Sequence, residues 1–457
     1  MHAFTAAQIA EAISGEIVQG DPGTVFASVS TDTRQICPGD LFIALVGDRF
    51  DAHDFIDRAV AGKAGGVIVN RRVDTGLWPG PVILVRDTLE ALQNLARFNR
   101  QHFRGPVIGV TGSNGKTTTK DMIASVLARK WPALKTEGNY NNEIGLPLTL
   151  LKLDDTYGAA VLEMGMRGLG EISLLAGIAR PDGAVITNIG ETHLERLGSV
   201  ANIAKAKGEI LDQIAEKGFA ILNGDDPLVR QQAARCRGRV IFYGAGGDVP
   251  IKAVDITTKD GKRLSFTADT PAGKIEVNLP VPGRHNMLNA LAAVGVGLEA
   301  GLTPAEIKEG LENTRLTSMR LEIVEGEKAT VINDTYNANP ASVKAALQIL
   351  ADIGKGRRKV AILGDMYELG RRAAEGHREV GAAAAAVGTD VLIVVGNLAA
   401  EIVLGAAMAQ SPPAEIISFD TNADVRKFLA RIIQAGDVVL VKGSRGMKME
   451  EIVEDLL

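Results

Sequence analysis

The sequence predicts an α/β protein of three units, two of them doubly wound around mostly parallel sheets. Three observations carry that prediction. From Val107 onward, short apolar runs alternate with longer segments of helical period, the pattern of parallel strands covered on both faces. The alternation restarts near residue 313. The length, 457 residues, at about 150 residues per domain, leaves room for about three domains. Glycine supplies the tight turns such folds need, at 51 residues, about 11% against a usual ~7%.

The elements follow in order. In the first hundred residues, Leu41–Val46, Gly66–Val69 and Val82–Val85 are predicted strands, and Asp54–Ala64 and Leu89–Arg104 predicted helices. Gly105-Pro106 punctuates the chain and sets a boundary between units 1–104 and 105–315. Strands are then predicted at Val107–Val110, Ala159–Leu162, Ala184–Thr187, Phe219–Leu222 and Val240–Phe242. Met122, Ile123, Val126 and Leu127 mark Thr117–Lys130 as a helix. The last unit, 316–457, is predicted to hold strands at Val331–Asn333, Lys359–Leu363, Val391–Val395 and Val438–Val441. No fixed-period repeat of solenoid type is visible.

Composition excludes several classes. Fifty basic and 55 acidic residues leave a net charge of −5, which argues against a general nucleic-acid binder. Hydrophobic residues at 46% and charged residues at 23% are ordinary for a globular protein, not a disordered one. Aromatics at 4% do not suit a carbohydrate-stacking module. Cys37 and Cys236 have no metal-ligand spacing and read as reduced thiols of a cytoplasmic protein. Met1–Ile13 lacks the basic start and apolar run of a signal peptide. Val391–Met408 is interrupted by Asn397 and Glu401, so it reads as a strand and helix rather than a membrane insertion.

The strongest local signal is Gly112-Ser113-Asn114-Gly115-Lys116-Thr117-Thr118, between a predicted strand and a predicted helix. Backbone N–H groups of such a loop converge on phosphate oxygens, and the helix N-terminus adds positive potential. Lys116 can reach terminal phosphates, and the Thr117 hydroxyl can ligate Mg²⁺. The strict phosphate-loop pattern requires glycine five positions before Gly115, where this chain has Val110.

Other polar groups sit where strands end, the edge at which such sheets bind ligands. Glu163 could hold Mg²⁺ beside Thr117 or be a solvated strand-end carboxylate. His193 could ligate a second metal or be a hydrogen-bonded loop residue. Lys205 and Lys207, on one helix, read by themselves as a solvated face. The amide-rich loop containing Asn139 and Asn142 suits sugar or pyrophosphate recognition, and equally suits turns closed by the asparagines themselves. Asn289 could bind an adenine edge or sit as a plain helix-start asparagine. Asp334, Asn337 and Asn339 follow the first strand of the last unit, where Asp334 could bond a ribose or a metal-bound phosphate. The Asn-Pro-Ala-Ser stretch also makes an ordinary turn and cap.

In this order the motifs resemble the Mur ligase family over essentially the whole chain. The matches are Gly112–Thr118 with its glycine spacing, Glu163, Thr187-Asn188…His193, Lys207, Gly283…His285-Asn286…Asn289, Arg320 and Asp334. Ser30-Thr31-Asp32-Thr33-Arg34 with Pro38–Phe42 resembles the family's uridine-binding domain, which implies substrate contacts at Ser30, Asp32 and Arg34. Asn333–Pro340, Leu363–Gly370 and Val441–Gly446 resemble the branch that adds D-alanyl-D-alanine to UDP-N-acetylmuramoyl-tripeptide. An Asp-Asn-Pro-Arg segment, carried by diaminopimelate-adding relatives, is missing.

The resemblance implies a small uridine-binding domain, a central phosphate-loop ATPase domain and a Rossmann-like C-terminal domain. It implies a monomer that uses ATP and Mg²⁺ and proceeds through an acyl phosphate. Gly112–Thr118, Asn289, Arg320 and Asp334 would bind nucleotide, with Lys116, Glu163, His193 and Lys207 catalytic and Thr117, Glu163 and His193 on metal. Asn139, Asn142, Asn337 and Asn339 would contact substrate. Lys207 aligns with the family's carbamylated lysine, which reverses the solvated-face reading. Because Asp334 and Arg320 belong to the last unit or its edge, the resemblance also implies an open form that ligands close about a hinge near 313–319. The competing readings are a branch adding a single amino acid, a folate-modifying relative and a phosphate-loop ATPase without an acceptor.

Overall fold

The computed structural model describes residues 1–457. It contains three large sheets, each with helices against its faces. The first orders Glu16–Gln19, Val82–Leu84, Gly66–Val69, Leu41–Ile43 and Val29–Ser30. All its pairs are parallel except that of Glu16–Gln19 with Val82–Leu84.

The second sheet has nine strands. Val107–Thr111 lies between Ala159–Glu163 and Gly183–Ile186, parallel to both. The chain moves first to one side of Val107–Thr111 and then to the other, so the loop after Thr111 leaves at the switch point of the strand order. Register levels the strand ends: Glu163 pairs with Val110, and Ile186 with Thr111. The loop, Glu163 and Thr187 therefore emerge together.

Beyond Arg239–Gly244 the same sheet continues into a meander, Ile251–Lys259, Arg263–Thr270 and Gly273–Leu279, the last two pairings antiparallel. The sequence reading had no strands there. The third sheet orders Glu322–Glu325, Ala329–Asn333, Asp437–Lys442, Lys359–Gly364, Val391–Val395 and Glu415–Phe419. Its only antiparallel pair is the edge strand Glu322–Glu325 on Ala329–Asn333. Asn333 pairs with Val441, which brings the following Asp334 and Lys442 together.

Helix Thr88–His102 begins at Asp87, whose carboxylate accepts from Leu89 N and Glu90 N, and ends before Gly105-Pro106. It packs on helices Gly145–Leu150 and Glu171–Ala179. Its Asn99, fully buried, donates to the carbonyls of Leu150 and Leu153, each at 2.9 Å, and accepts from His2 N. One hydrophobic core runs from Met1 through Phe103 to Val229, so the first two units share an interior. No helix is long and apolar enough to cross a membrane.

Candidate active site

Helix Lys116–Leu127 starts at Gly115, which has φ +80°. A Cβ on Gly115 would lie 2.6 Å from Asn289 Oδ1, and one on Gly112 (φ +148°) 1.9 Å from Thr187 Oγ1. Both positions therefore require glycine. The loop is held from below by the segment after Gly183–Ile186. Ser113 N donates to Asn188 O, Asn114 N to Asn188 Oδ1, and Thr187 Oγ1 to Asn114 O at 2.6 Å. Ser113 Oγ exchanges hydrogen bonds with Gly190.

The N–H groups of Ser113 and Asn114 are thus partnered within the protein. Thr119 N is the first to find a helical acceptor, Gly115 O at 2.8 Å. The N–H groups of Gly115, Lys116, Thr117 and Thr118 are left at the helix start, which makes an anion cradle.

Two lysine amines meet above that cradle. Lys116 Nζ donates to Gly112 O at 2.8 Å, and Lys207 Nζ donates to the same oxygen at 2.9 Å. Burial pushes the Lys116 pKa down, with Glu163 opposing. Burial, reinforced by Lys116, pushes Lys207 well below the usual lysine range. Lys207 lies on the inner face of helix Val200–Asp212, whereas Lys205 is exposed. Two positions apart, they point to opposite sides of the helix.

Thr117 Oγ1 donates to Glu163 Oε2 at 2.7 Å, and Glu163 is 3% exposed. The other carboxylate oxygen accepts from Asn141 Nδ2 at 2.9 Å. Asn141 was not singled out in the sequence. Its neighbour Asn142 instead turns its Oδ1 to Ile144 N and Gly145 N at the start of the next helix, and Asn139 lines the cavity. The Thr117 hydroxyl and Glu163 carboxylate form a pair of hard oxygen donors that fits Mg²⁺. His193, with φ +57°, lies with Nδ1 2.7 Å from Glu368 Oε2. No hydrogen bond joins it to Thr117 or Glu163.

Asn289 accepts from Thr119 Oγ1 at 3.1 Å and donates to Asn286 Oδ1 at 3.0 Å. Its second amide N–H remains for a ligand. Arg320 lies with its guanidinium carbon 4.1 Å from the centre of the Tyr336 ring, and its buried Nε has no hydrogen-bond partner. Asp334 Oδ2 accepts from buried Lys442 Nζ at 2.5 Å, and Asp334 Oδ1 accepts from Leu321 N at 3.3 Å. Lys442 also donates to Asn337 O at 2.8 Å, while Asn337 Oδ1 takes the N–H of Ala338. Lys442 lies in the Val441–Gly446 segment that carries the resemblance, but the sequence assigned it no role. Register alone joins it to Asp334.

These groups line one cleft of roughly 1120 Å³ between the second and third sheets. The two halves meet across it. Asn339, the cap of helix Pro340–Ile353, donates from Nδ2 to Asn114 Oδ1 at 2.7 Å, and Arg372 pairs with Glu191. The two units are therefore in contact across the cleft. Ser30, Asp32 and Arg34 do not reach this cleft. Arg34 Nη2 binds Asp32 at 2.7 Å and holds its carboxyl down to about 2, while Ser30 Oγ bonds the Asp32 backbone.

Comparison with known proteins points one way. Residues 110–297 match the Mur ligase middle domain, and residues 319–445 match the family "Mur ligase, glutamate ligase domain". The chain is 41% identical to UDP-N-acetylmuramoyl-tripeptide–D-alanyl-D-alanine ligase of Bacillus subtilis (strain 168), covering 99% of this chain and 98% of that one. A crystal structure of MurF from Acinetobacter baumannii superposes with a TM-score of 0.91 at 34% identity, over 100% and 99% of the two chains. MurF ligase from Thermotoga maritima in complex with ADP superposes with a TM-score of 0.83 at 31% identity, over 94% and 96%.

Proposed function

The chain belongs to the Mur ligase family, and we infer that it is the ATP-dependent ligase joining D-alanyl-D-alanine to UDP-N-acetylmuramoyl-tripeptide, giving the pentapeptide precursor of peptidoglycan. The observation that carries this reading is the convergence of Lys116 and Lys207 on one carbonyl, beside the Thr117–Glu163 pair. Such a cluster suits a phosphoryl group leaving one oxygen for another.

Amide formation from a carboxylate in water is uphill, so the reaction is divided. A carboxylate oxygen of the tripeptide attacks the γ-phosphorus of ATP, and the bond to ADP breaks. The amine of D-alanyl-D-alanine then attacks the resulting acyl carbonyl and phosphate departs. The Gly115–Thr118 N–H groups and Lys116 hold the phosphates, and Arg320 meets the transferring group from the other half of the cleft. Thr117 and Glu163 would hold Mg²⁺, which would supply charge neutralisation to the transferring phosphoryl group. His193 is assigned to a second ion, which it would help to hold. Asn289 is assigned to adenine through its remaining N–H, and Asp334 to the nucleotide at the closing face.

Lys207 is assigned as the carbamylated lysine. Carbon dioxide adds to a neutral amine, and burial beside Lys116 favours the neutral form. The product is an anion, which would be attracted by the neighbouring Lys116. We assign residues 1–104 to uridine recognition through Ser30, Asp32 and Arg34, residues 105–315 to ATP, and residues 316–457 to D-alanyl-D-alanine and closure. Asn139, Asn142, Asn337 and Asn339 are assigned to substrate. The protein is proposed to act as a cytoplasmic monomer.

Phosphate release from ATP tests the reading. It is expected only with both the tripeptide nucleotide and D-alanyl-D-alanine present. Release with a single amino acid would place the chain in a neighbouring branch, and acceptor-independent release would make it an ATPase.

A further inference from the structure

Arg320 reaches the cleft from a segment that is fixed at both ends. Its neighbours Met319 and Leu321 have φ of +62° and +51°, a left-handed conformation that residues with a Cβ keep only when their surroundings impose it. On the side of the third sheet, Tyr336 N donates to Met319 O at 3.2 Å and Leu321 N to Asp334 Oδ1. On the other side the anchor is Asp121, one turn along the phosphate-loop helix from Thr117.

Asp121 is 1% exposed. Its Oδ2 accepts from both Thr317 N and Thr317 Oγ1 at 2.8 Å. Its Oδ1 accepts from Lys135 Nζ at 2.7 Å and lies 3.3 Å from Lys120 Nζ. Lys120, itself buried, donates to Thr136 O, and Thr136 Oγ1 accepts from Glu163 N. A charged carboxylate at this depth is costly unless fully partnered, and half of its partners belong to the linker. The network runs without a break from Glu163 through Asp121 to Thr317, three residues before Arg320.

We infer that Asp121 is a positioning residue: by gripping Thr317 it sets the register of the linker against the phosphate-loop helix, so that Arg320 enters the cleft opposite Lys116. The inference rests on the ligase reading above. It explains why the linker is not a free hinge along its whole length. The pivot is confined to the residues on either side of Thr317.

The test uses the full chain with ATP, the tripeptide nucleotide and D-alanyl-D-alanine. Thr317→Val removes one of the two bonds to Asp121, and Thr317→Ser keeps both. Thr317→Val is expected to lower kcat by about tenfold with KM for ATP within about twofold, and Thr317→Ser to stay within about twofold of the parent in both. In an Arg320→Ala background, Thr317→Val is expected to cost less than about twofold, because coupled residues do not add. Unchanged kcat in Thr317→Val, or an undiminished effect in the Arg320→Ala background, would overturn the inference. Amide hydrogen exchange of residues 317–321 reads the grip without turnover: it is expected to quicken in Thr317→Val, and equal exchange would overturn the inference. A parent chain that releases no phosphate with both substrates would overturn the ligase reading alone, since the exchange measurement still decides the role of Asp121.

Discussion

Lys116 and Lys207 donate to the same carbonyl oxygen, an arrangement that like charges resist unless one is neutral or an anion lies between them. Lys116→Ala is expected to lower kcat by about 10²–10³ or more while circular dichroism stays unchanged; an undiminished rate would remove the loop from the chemistry. The second lysine makes a prediction about stability. Its folded pKa lies far below the roughly 10.4 of an unfolded lysine. Between those values the unfolded chain holds the extra proton, so stability rises with pH there and is flat below the folded pKa. Lys207→Met, melted across that range in buffer freed of carbon dioxide, is expected to show a smaller rise than the parent. At this scale the sequence was legible where spacing is rigid. The order of Gly112, Lys116, Thr117 and Glu163 needed only a strand and a helix. Asn141 and Asn142 could not be separated, because which amide faces Glu163 depends on a loop conformation that composition does not encode. Lys442 stood in a motif without a role, because its meeting with Asp334 depends on strand register.

Elements carry the site by their ends. Asn339 caps helix Pro340–Ile353 through Ser342 N at 2.9 Å and spends its other amide group on Asn114. Asn339→Ala should therefore cost about 1 kcal/mol through the cap and weaken the contact between the halves as well. Urea denaturation checks the first effect, and the midpoint should not fall if the cap is idle. Parallel strands were easy to read because they are buried on both faces, as in Val391–Val395. The meander Ile251–Leu279 was not. Its strands alternate buried and exposed residues, so they lack the continuous apolar runs by which the other strands were read. The edge strands Glu322–Glu325 and Glu415–Phe419 escaped because none of their residues is fully buried and their apolar runs are only two residues long.

For the whole molecule, the division into sheet-centred units was readable from alternation, but the contacts between units were not. The central and last units touch through half-exposed polar pairs such as Arg372–Glu191, an ion pair that salt screens over about 8–10 Å. Raising ionic strength should therefore speed proteolysis of the linker 313–319, and an ATP analogue with the tripeptide nucleotide should slow it. Cleavage indifferent to both would argue against closure. The first and central units are joined differently. Their common interior, with Asn99 bonded to Leu150 and Leu153, leaves no seam at which one could be lifted from the other. Modularity in this chain is thus unequal. A graft that replaced the last unit would have only a polar surface and a linker to reproduce, whereas one that replaced the first would have to rebuild half of its neighbour's interior.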